Sequence, residues 1–161
     1  MRNLKNYSPP ALVYTTYFRL AKTSANSCKT LTTNIVIITV NPEFTAGSIS
    51  GSQFVCYNSV PETLTGTAPT GGKFPYSYQW QKTENNNAYT NISGATSLNF
   101  TSPSLTSNTW YRQIQSSAEG CGTHTTNVVT VTVFPQFSAG TISSDQSISY
   151  NSVPAVLTRT A

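Results

Sequence analysis

Apolar and polar residues alternate along much of this chain, most clearly in the segment 76–82, Tyr-Ser-Tyr-Gln-Trp-Gln-Lys. The rings of Tyr76, Tyr78 and Trp80 recur at every second position, so in a strand they project from one face while polar side chains occupy the other. This pattern predicts a strand at the centre of a β-sandwich. We expect Trp80 and Tyr78 to anchor its core.

Short apolar runs separated by turn signals predict further strands around this one. A loop with Pro and Gly precedes it at 68–75, and a polar turn follows at 84–87. The other predicted strands are a pair within 47–57 and single strands at 63–67, 89–93, 97–101, 109–116 and 126–133. In the first pair we expect Ile49, Phe54 and Val55 to face the core. About seven short strands in a segment of this length are typical of an immunoglobulin-like sandwich.

The chain also repeats itself. Residues 10–68 align with residues 103–161 without a gap, at an offset of 93 residues and with 30 identities in 59 positions. We place repeat boundaries near Pro42 and Pro135, because proline cannot donate a hydrogen bond to a sheet. The predicted organisation is the C-terminal part of one repeat (1–41), a complete repeat (42–134) and the N-terminal part of a third (135–161). We therefore expect a window from a longer array.

The composition agrees with an all-β fold and argues against some classes of binding partner. Only 9% of the residues are charged, whereas there are 26 Thr and 21 Ser, which suit strands better than helices. The nine basic residues behind the net charge of +4 are scattered, unlike the concentrated patch of a nucleic-acid-binding protein. The longest apolar runs are too short to span a membrane, and the N-terminus has no apolar signal segment. We predict neither nucleic-acid binding nor membrane insertion.

Residue types that usually carry catalysis or metals are few and dispersed. His124 is the only histidine, and we expect it to be solvated in a Thr-rich turn. The three cysteines lack Cys-x-x-Cys spacing, and the five acidic residues form no Asp-x-Asp pattern. The sequence therefore predicts a protein that is not an enzyme and holds no metal or cofactor.

Aromatic residues are the remaining candidates for ligand contact. Trp110 and Tyr111 are adjacent, so one ring should face inward and the other outward. Trp110, Tyr89 and Arg112 could form a sugar-binding surface, because sugars stack on flat aromatic rings. Alternatively, Arg112 lies over an aromatic ring as a surface cation–π contact. Both interpretations of these three residues stay open at this point.

Several segments together resemble a known class of repeat. They are Tyr-Gln-Trp-Gln at 78–81, Ile-Ser-Gly-Ala-Thr at 92–96, Thr-Trp-Tyr-Arg at 109–112, Cys121, and Asn-Val-Val-Thr-Val-Thr-Val at 127–133. This set resembles the Ig-like repeats of large Bacteroidota surface proteins, which include gliding-motility-associated and other adhesins exported by the type IX system. The resemblance covers the complete repeat and both partial ones. It implies an extracellular, multi-repeat protein at the cell surface.

The cysteines depart from the antibody pattern, which has a cysteine near the position of Gly66, fourteen residues before Trp80. Our hypothesis is a disulfide between Cys56 and Cys121. An objection is that these positions lie at opposite ends of a standard Ig topology, and the alternative is two free, buried thiols. Cys28 is the repeat equivalent of Cys121, and we expect its partner upstream of Met1.

Three functions follow as expectations. The first is a non-catalytic structural or adhesive module that forms a stalk or filament shaft, with neighbouring repeats of the same chain as its partners. The second is a carbohydrate-binding module that contacts surface glycans through Trp110, Tyr89 and Arg112. The third is a self-assembling extracellular filament subunit, in which exposed sheet edges pair between identical chains.

Overall fold

A computed structural model describes residues 6–25, 29–143 and 145–160, which form mainly short strands, with a 3₁₀ turn at Ala118–Gly120. The strands are β1 (Thr16–Phe18), β2 (Ala21–Thr23), β3 (Thr30–Thr32), β4 (Val36–Ile38), β5 (Ile49–Ser50), β6 (Gln53–Val55), β7 (Thr65–Gly66), β8 (Tyr76–Thr83), β9 (Thr90–Asn91), β10 (Thr109–Ser117), β11 (Thr123–Thr125), β12 (Val129–Val133), β13 (Ile142–Ser143) and β14 (Thr158–Arg159). The predicted all-β class is confirmed. No helix in the described ranges is long and apolar enough to cross a membrane.

Segment 42–134 forms a β-sandwich around one apolar core. Its larger sheet has the order β6-β12-β10-β8-β9, with β11 also paired to β10. The smaller sheet pairs β5 with β7, and an isolated bridge joins Leu64 to Phe100. The buried apolar residues between the sheets are Ile49, Leu64, Trp80, Ala95, Leu105, Tyr111, Val129 and Val131.

Strand β8 places Trp80 at the centre of this core. The register pairs Trp80 with Gln113 of β10, and the indole is 0% exposed. Its Nε1–H donates to the Ser97 carbonyl at 2.9 Å. The prediction for Trp80 is therefore confirmed. Tyr78 lies on the same face but is only half-buried and outside the apolar cluster, because it pairs with Gln115, whose amide fills that part of the interior.

The predicted inward position of Phe54 is wrong. Phe54 is 71% exposed and stacks on Phe134, with 5.7 Å between the ring centroids. Adjacent residues of a strand point to opposite faces, so Phe54 and Val55 cannot both face the core. Val55 packs against the apolar cluster, and Phe54 therefore faces outward.

The inner face of β10 is polar as well as apolar. Gln113 and Gln115 are both fully buried, and Gln115 Nε2 donates to Gln113 Oε1 at 2.8 Å. Gln115 also accepts from the Gly47 N–H at 2.8 Å and donates to the Thr67 carbonyl at 3.0 Å. Within the described ranges, every buried side-chain polar atom has a hydrogen-bond partner. The amides thus connect β10 with the segments that flank β5 and β7.

The flanking segments carry strand pairs in matching registers. In the pairing of β1 with β4, Thr16 lies opposite Ile38. The residues 93 positions further on, Thr109 of β10 and Val131 of β12, lie opposite each other in the same way. The pairing of β2 with β3 matches that of β10 with β11 at the same offset. Likewise, the pairing of β13 with β14 matches that of β5 with β7. The repeat of 93 residues seen in the sequence is therefore also present in the backbone pairing of the strands.

Tyr111 provides a pH-dependent contribution to stability. Its hydroxyl lies 2.7 Å from Ser102 Oγ. Burial raises the pKa of the Tyr111 phenol above its ordinary 10.0, and hydrogen bonds with Ser102 and Thr109 act in the opposite direction. Because the fold favours the neutral phenol, this contribution is complete below pH 10 and is lost as pH rises through the folded-state pKa.

We expect Tyr111→Phe to cost about 1 kcal/mol at pH 7 through the lost hydrogen bond. Above pH 10 the difference between the two proteins should shrink, because only the wild type loses stability through this phenol. Denaturant unfolding measured from pH 7 to pH 11 checks this. A difference that stays constant over that range would contradict it.

Candidate functional site on the outer sheet face

Residues at alternate positions of β10 face away from the core and define the outer face of the larger sheet. Trp110 and Arg112 are both half-buried there, and they pair with Thr83 and Gln81 of β8. The neighbouring odd-numbered positions of β10 are all buried, which fixes the direction of the even-numbered ones. We call Tyr89, Trp110 and Arg112 the outer-face cluster.

Arg112 is held by two contacts within the domain. Its guanidinium carbon lies 4.0 Å from the centroid of the Tyr89 ring. Its Nε–H donates to Gln81 Oε1 at 2.7 Å, and Gln81 Nε2 in turn donates to Asn91 Oδ1 at 2.8 Å. The cation–π alternative is therefore observed, and such exposed contacts contribute about 0.5–1 kcal/mol. Gln81 is not among the residues predicted to contact a ligand, although its position opposite Arg112 follows from strand pairing.

Tyr89 is fixed from the other side by the turn after β8. Its hydroxyl donates to Asn86 Oδ1 at 2.8 Å. Thr83 and Asn85 in the same turn are joined by a hydrogen bond of 2.7 Å. Since the Arg112 guanidinium covers one face of the Tyr89 ring, that face cannot stack on a sugar.

Trp110 is the outward ring of its pair and Tyr111 the inward one, as the adjacent positions predicted. Tyr111 is 1% exposed, whereas Trp110 is half-buried between Thr83 and Thr130 in the sheet register. Trp110 lies two residues from Arg112, a separation of about 7 Å along a strand. The structure thus brings Tyr89 and Arg112 into contact and places Trp110 next to them.

Potential metal ligands lie apart from one another. Among the residues that the structure describes, no three His, Cys, Asp or Glu side chains are grouped to hold a metal ion. His124 is exposed on β11 and packs edge-on against Phe44, with 5.6 Å between ring centroids. It therefore lies in a strand and not in the predicted turn.

The proposed disulfide between Cys56 and Cys121 is wrong for this domain. Both thiols are free, Cys56 being exposed and Cys121 half-buried with Asn41 Nδ2 at 3.3 Å from its sulfur. Cys56 follows β6 beside the start of β10, whereas Cys121 follows the end of β10. The length of β10 separates them by about 25 Å, and a disulfide needs Cα atoms within about 7 Å. Cys28 lies outside the described residues.

Comparison with known proteins identifies one related family. A family model described as Domain of unknown function (DUF8696) matches residues 45–135, which is more than half of the chain. The match spans β5 to β12 and includes the outer-face cluster. No curated protein and no solved structure matches the chain.

Proposed function

This chain belongs to the DUF8696 family, and we propose that its complete domain is a structural spacer of a multi-repeat surface protein. In this role the domain sets a distance and bears load along the chain. The resemblance to Ig-like repeats of Bacteroidota surface proteins supports an extracellular setting, which is part of the same proposal.

The observation that carries this proposal is the position of the two chain ends of the domain. The chain enters beside the end of β10, where the Gly72 N–H donates to the Pro42 carbonyl at 2.8 Å and Asn41 contacts Cys121. It leaves beside the start of β10, where the Phe134 N–H donates to the Val55 carbonyl at 2.9 Å. Entry and exit are thus separated by the length of the strand, about 25–30 Å. Domains with such ends extend an array instead of folding it back.

A second feature suits load bearing. Strands β6 and β12 lie near the two ends of the domain and pair in parallel, with Val131, Thr132 and Val133 opposite Gln53, Phe54 and Val55. Tension applied to the ends pulls two parallel strands in opposite directions. Their hydrogen bonds are then loaded together in shear and not opened one after another. We refer to this pairing as the β6–β12 clamp.

The outer-face cluster fits a structural role in the same domain. Arg112 contacts Tyr89 and Gln81, and Tyr89 contacts Asn86. These contacts tie the turn after β8 to the middle of the sheet. The outer-face cluster therefore stabilises one edge of the domain through contacts made within the domain itself.

Single-molecule force spectroscopy of a tandem array of residues 42–134 tests the spacer function. We expect Thr132→Pro to lower the unfolding force strongly, because it removes a backbone donor inside the β6–β12 clamp. The matched control is Leu105→Ala, a core truncation outside the clamp that costs about 2–5 kcal/mol.

For each variant, the reduction in unfolding force is compared relative to its loss of free energy of unfolding, which is measured with denaturant. The spacer proposal requires Thr132→Pro to reduce the force much more than Leu105→Ala does. Equal reductions would show that overall stability and not the clamp sets the force, and the load-bearing role would be rejected.

The carbohydrate-binding alternative concerns the same outer face, and an experiment can distinguish it from the spacer proposal. Trp110 is the member of the outer-face cluster whose ring has neither a cation–π nor a ring-stacking partner among the described residues. Saturable binding on a glycan array, abolished by Trp110→Ala in a chain that still folds, would replace the spacer proposal with this one.

A further inference from the structure

Arg112 is a half-buried positive charge of the larger sheet that has no acidic partner in the part of the chain that the structure describes. The strands of that sheet contain two basic residues and none of the five acidic residues of the chain. Lys82, the other basic residue, lies 4.0 Å from Glu84 of the following turn. The outer face therefore carries a guanidinium whose charge no carboxylate of these strands neutralises.

The guanidinium of Arg112 is fixed in position, yet most of its hydrogen-bond donors stay available. Its carbon lies 4.0 Å from the centroid of the Tyr89 ring, and its Nε–H donates to Gln81 Oε1 at 2.7 Å. Gln81 is itself buried and donates to Asn91, so the acceptor is held as well. Among the described residues, the N–H groups on Nη1 and Nη2 have no acceptor. Paired N–H groups of a fixed guanidinium match the two oxygens of a carboxylate.

Apolar side chains lie on either side of Arg112 along β10. Trp110 and Ile114 occupy the same outer face, two positions before and two positions after it, and both are half-buried. Each lies about 7 Å from Arg112 along the strand. Trp, Tyr and Arg are also the residue types that contribute most to binding at protein interfaces. The outer face thus combines a carboxylate-binding group with apolar contact area.

An extended polypeptide matches the spacing of these three side chains. Alternate side chains of a strand point to the same face and are about 7 Å apart. A segment with apolar, acidic and apolar residues at alternate positions can therefore contact Trp110, Arg112 and Ile114 together. A sugar fits less well, because the guanidinium already covers one face of the Tyr89 ring. The net charge of +4 also favours the approach of an acidic partner.

We propose that the outer face binds an extended acidic segment of a partner protein, whose Glu or Asp carboxylate accepts hydrogen bonds from the Nη groups of Arg112. The apolar side chains that flank this carboxylate pack on Trp110 and Ile114. Tyr89 and Gln81 hold the guanidinium in place for the contact. This inference goes beyond the spacer function and does not rest on it, because a domain that bears load can also carry a docking face.

The preceding segment carries part of the same arrangement. At the offset of 93 residues, Tyr17 and Arg19 stand where Trp110 and Arg112 stand in the complete domain. Strand β1 pairs with β4 in the register that β10 forms with β12. An aromatic ring and a guanidinium thus recur two positions apart in consecutive repeats. A partner with several acidic segments can bind more than one repeat, which raises its overall affinity.

NMR titration of the isotope-labelled full chain tests the proposal. The probe is the peptide Thr-Leu-Thr-Glu-Thr-Leu-Thr, and the matched probe has Gln in place of its Glu. We expect saturable shifts of the Trp110 indole N–H signal and the Arg112 Nε–H signal, with a Kd of about 1 mM for so small an exposed contact. The Gln peptide should bind about tenfold more weakly, because a charge-assisted hydrogen bond is stronger than a neutral one.

Three variants locate the contact and separate it from general charge attraction. Arg112→Gln should abolish the shift of the Trp110 indole signal. Arg112→Lys should weaken binding about tenfold, because an ammonium keeps the charge but cannot form the bidentate pair. Arg159→Gln is the matched control, since it removes the same charge from β14 and should leave the Kd unchanged. Circular dichroism of each variant checks that the complete domain stays folded.

Any of four results would overturn the proposal. One is the absence of saturable shifts up to about 10 mM of the Glu peptide. Another is equal affinity for the Glu and Gln peptides. A third is binding by Arg112→Lys as tight as that of the wild type, or equal losses for Arg112→Gln and Arg159→Gln. The last is tighter binding of glucuronate or inorganic phosphate than of the Glu peptide, which would assign the outer face to a sugar or a free anion.

Discussion

Trp80→Ala should destabilise the complete domain by about 3–5 kcal/mol, a large fraction of the stability of a small domain. The substitution removes the largest fully buried side chain and the packing against Phe100, whose ring centroid lies 5.6 Å from that of the indole. It also removes the hydrogen bond to the Ser97 carbonyl. Denaturant unfolding followed by circular dichroism measures the loss.

Trp110→Ala is the matched control for that experiment. It truncates the other tryptophan of the chain, which lies half-buried on the outer face of the same sheet. We expect a cost of about 1 kcal/mol, because little apolar area returns to water. Equal losses for the two variants would contradict the placement of Trp80 as the anchor of the core.

Gln115→Ala should cost about 2–4 kcal/mol, which is a large effect for a polar residue. The change leaves Gly47 N–H, the Thr67 carbonyl and Gln113 Oε1 without this partner. It also opens a cavity, because Gln115 is fully buried. The free energy of unfolding at neutral pH is again the measurement.

Two further variants separate the hydrogen bonds from the volume. Gln115→Met keeps nearly the same volume without the amide and should retain most of the deficit. Gln79→Ala removes an outer-face, half-buried amide and should cost about 1 kcal/mol or less. A Gln115→Met protein as stable as the wild type would show that the buried amides contribute packing alone.

Alternation along β8 was enough to predict both the sandwich and the buried position of Trp80. A large ring at every second position leaves one face to bury, and the rule needs no knowledge of the partner sheet. The same rule, applied strictly, would have excluded Phe54 from the core beside Val55. Hydrophobicity does not distinguish Phe54 from Val55, whereas the geometry of adjacent strand positions does.

The features that sequence reasoning missed depend on contacts distant in the chain. Gln113 and Gln115 look like surface residues, and only their hydrogen bonds to distant segments explain their burial. Gln113 Nε2 donates to the Ser97 and Leu98 carbonyls. Gln115 accepts from the Gly47 N–H and donates to the Thr67 carbonyl. Tyr89 was recognised as a candidate, but its contact with Arg112 depends on the path of the turn after β8. The disulfide hypothesis is wrong because Cys56 and Cys121 lie at opposite ends of the sandwich. The direction of the strands decides at which end each thiol lies.

The buried amides of β10 also bear on how the repeated segments of this chain fold. Repeats with similar strands risk pairing with the wrong neighbour while they fold. The strands equivalent to β10 in the preceding segment carry Leu20 and Lys22 where the complete domain has Gln113 and Gln115. An exchanged strand would leave Gly47 and Thr67 without their amide partner and would bury a lysine. Gln113 and Gln115 thus favour the pairing of β10 within its own domain over exchange with the equivalent strands of the preceding segment.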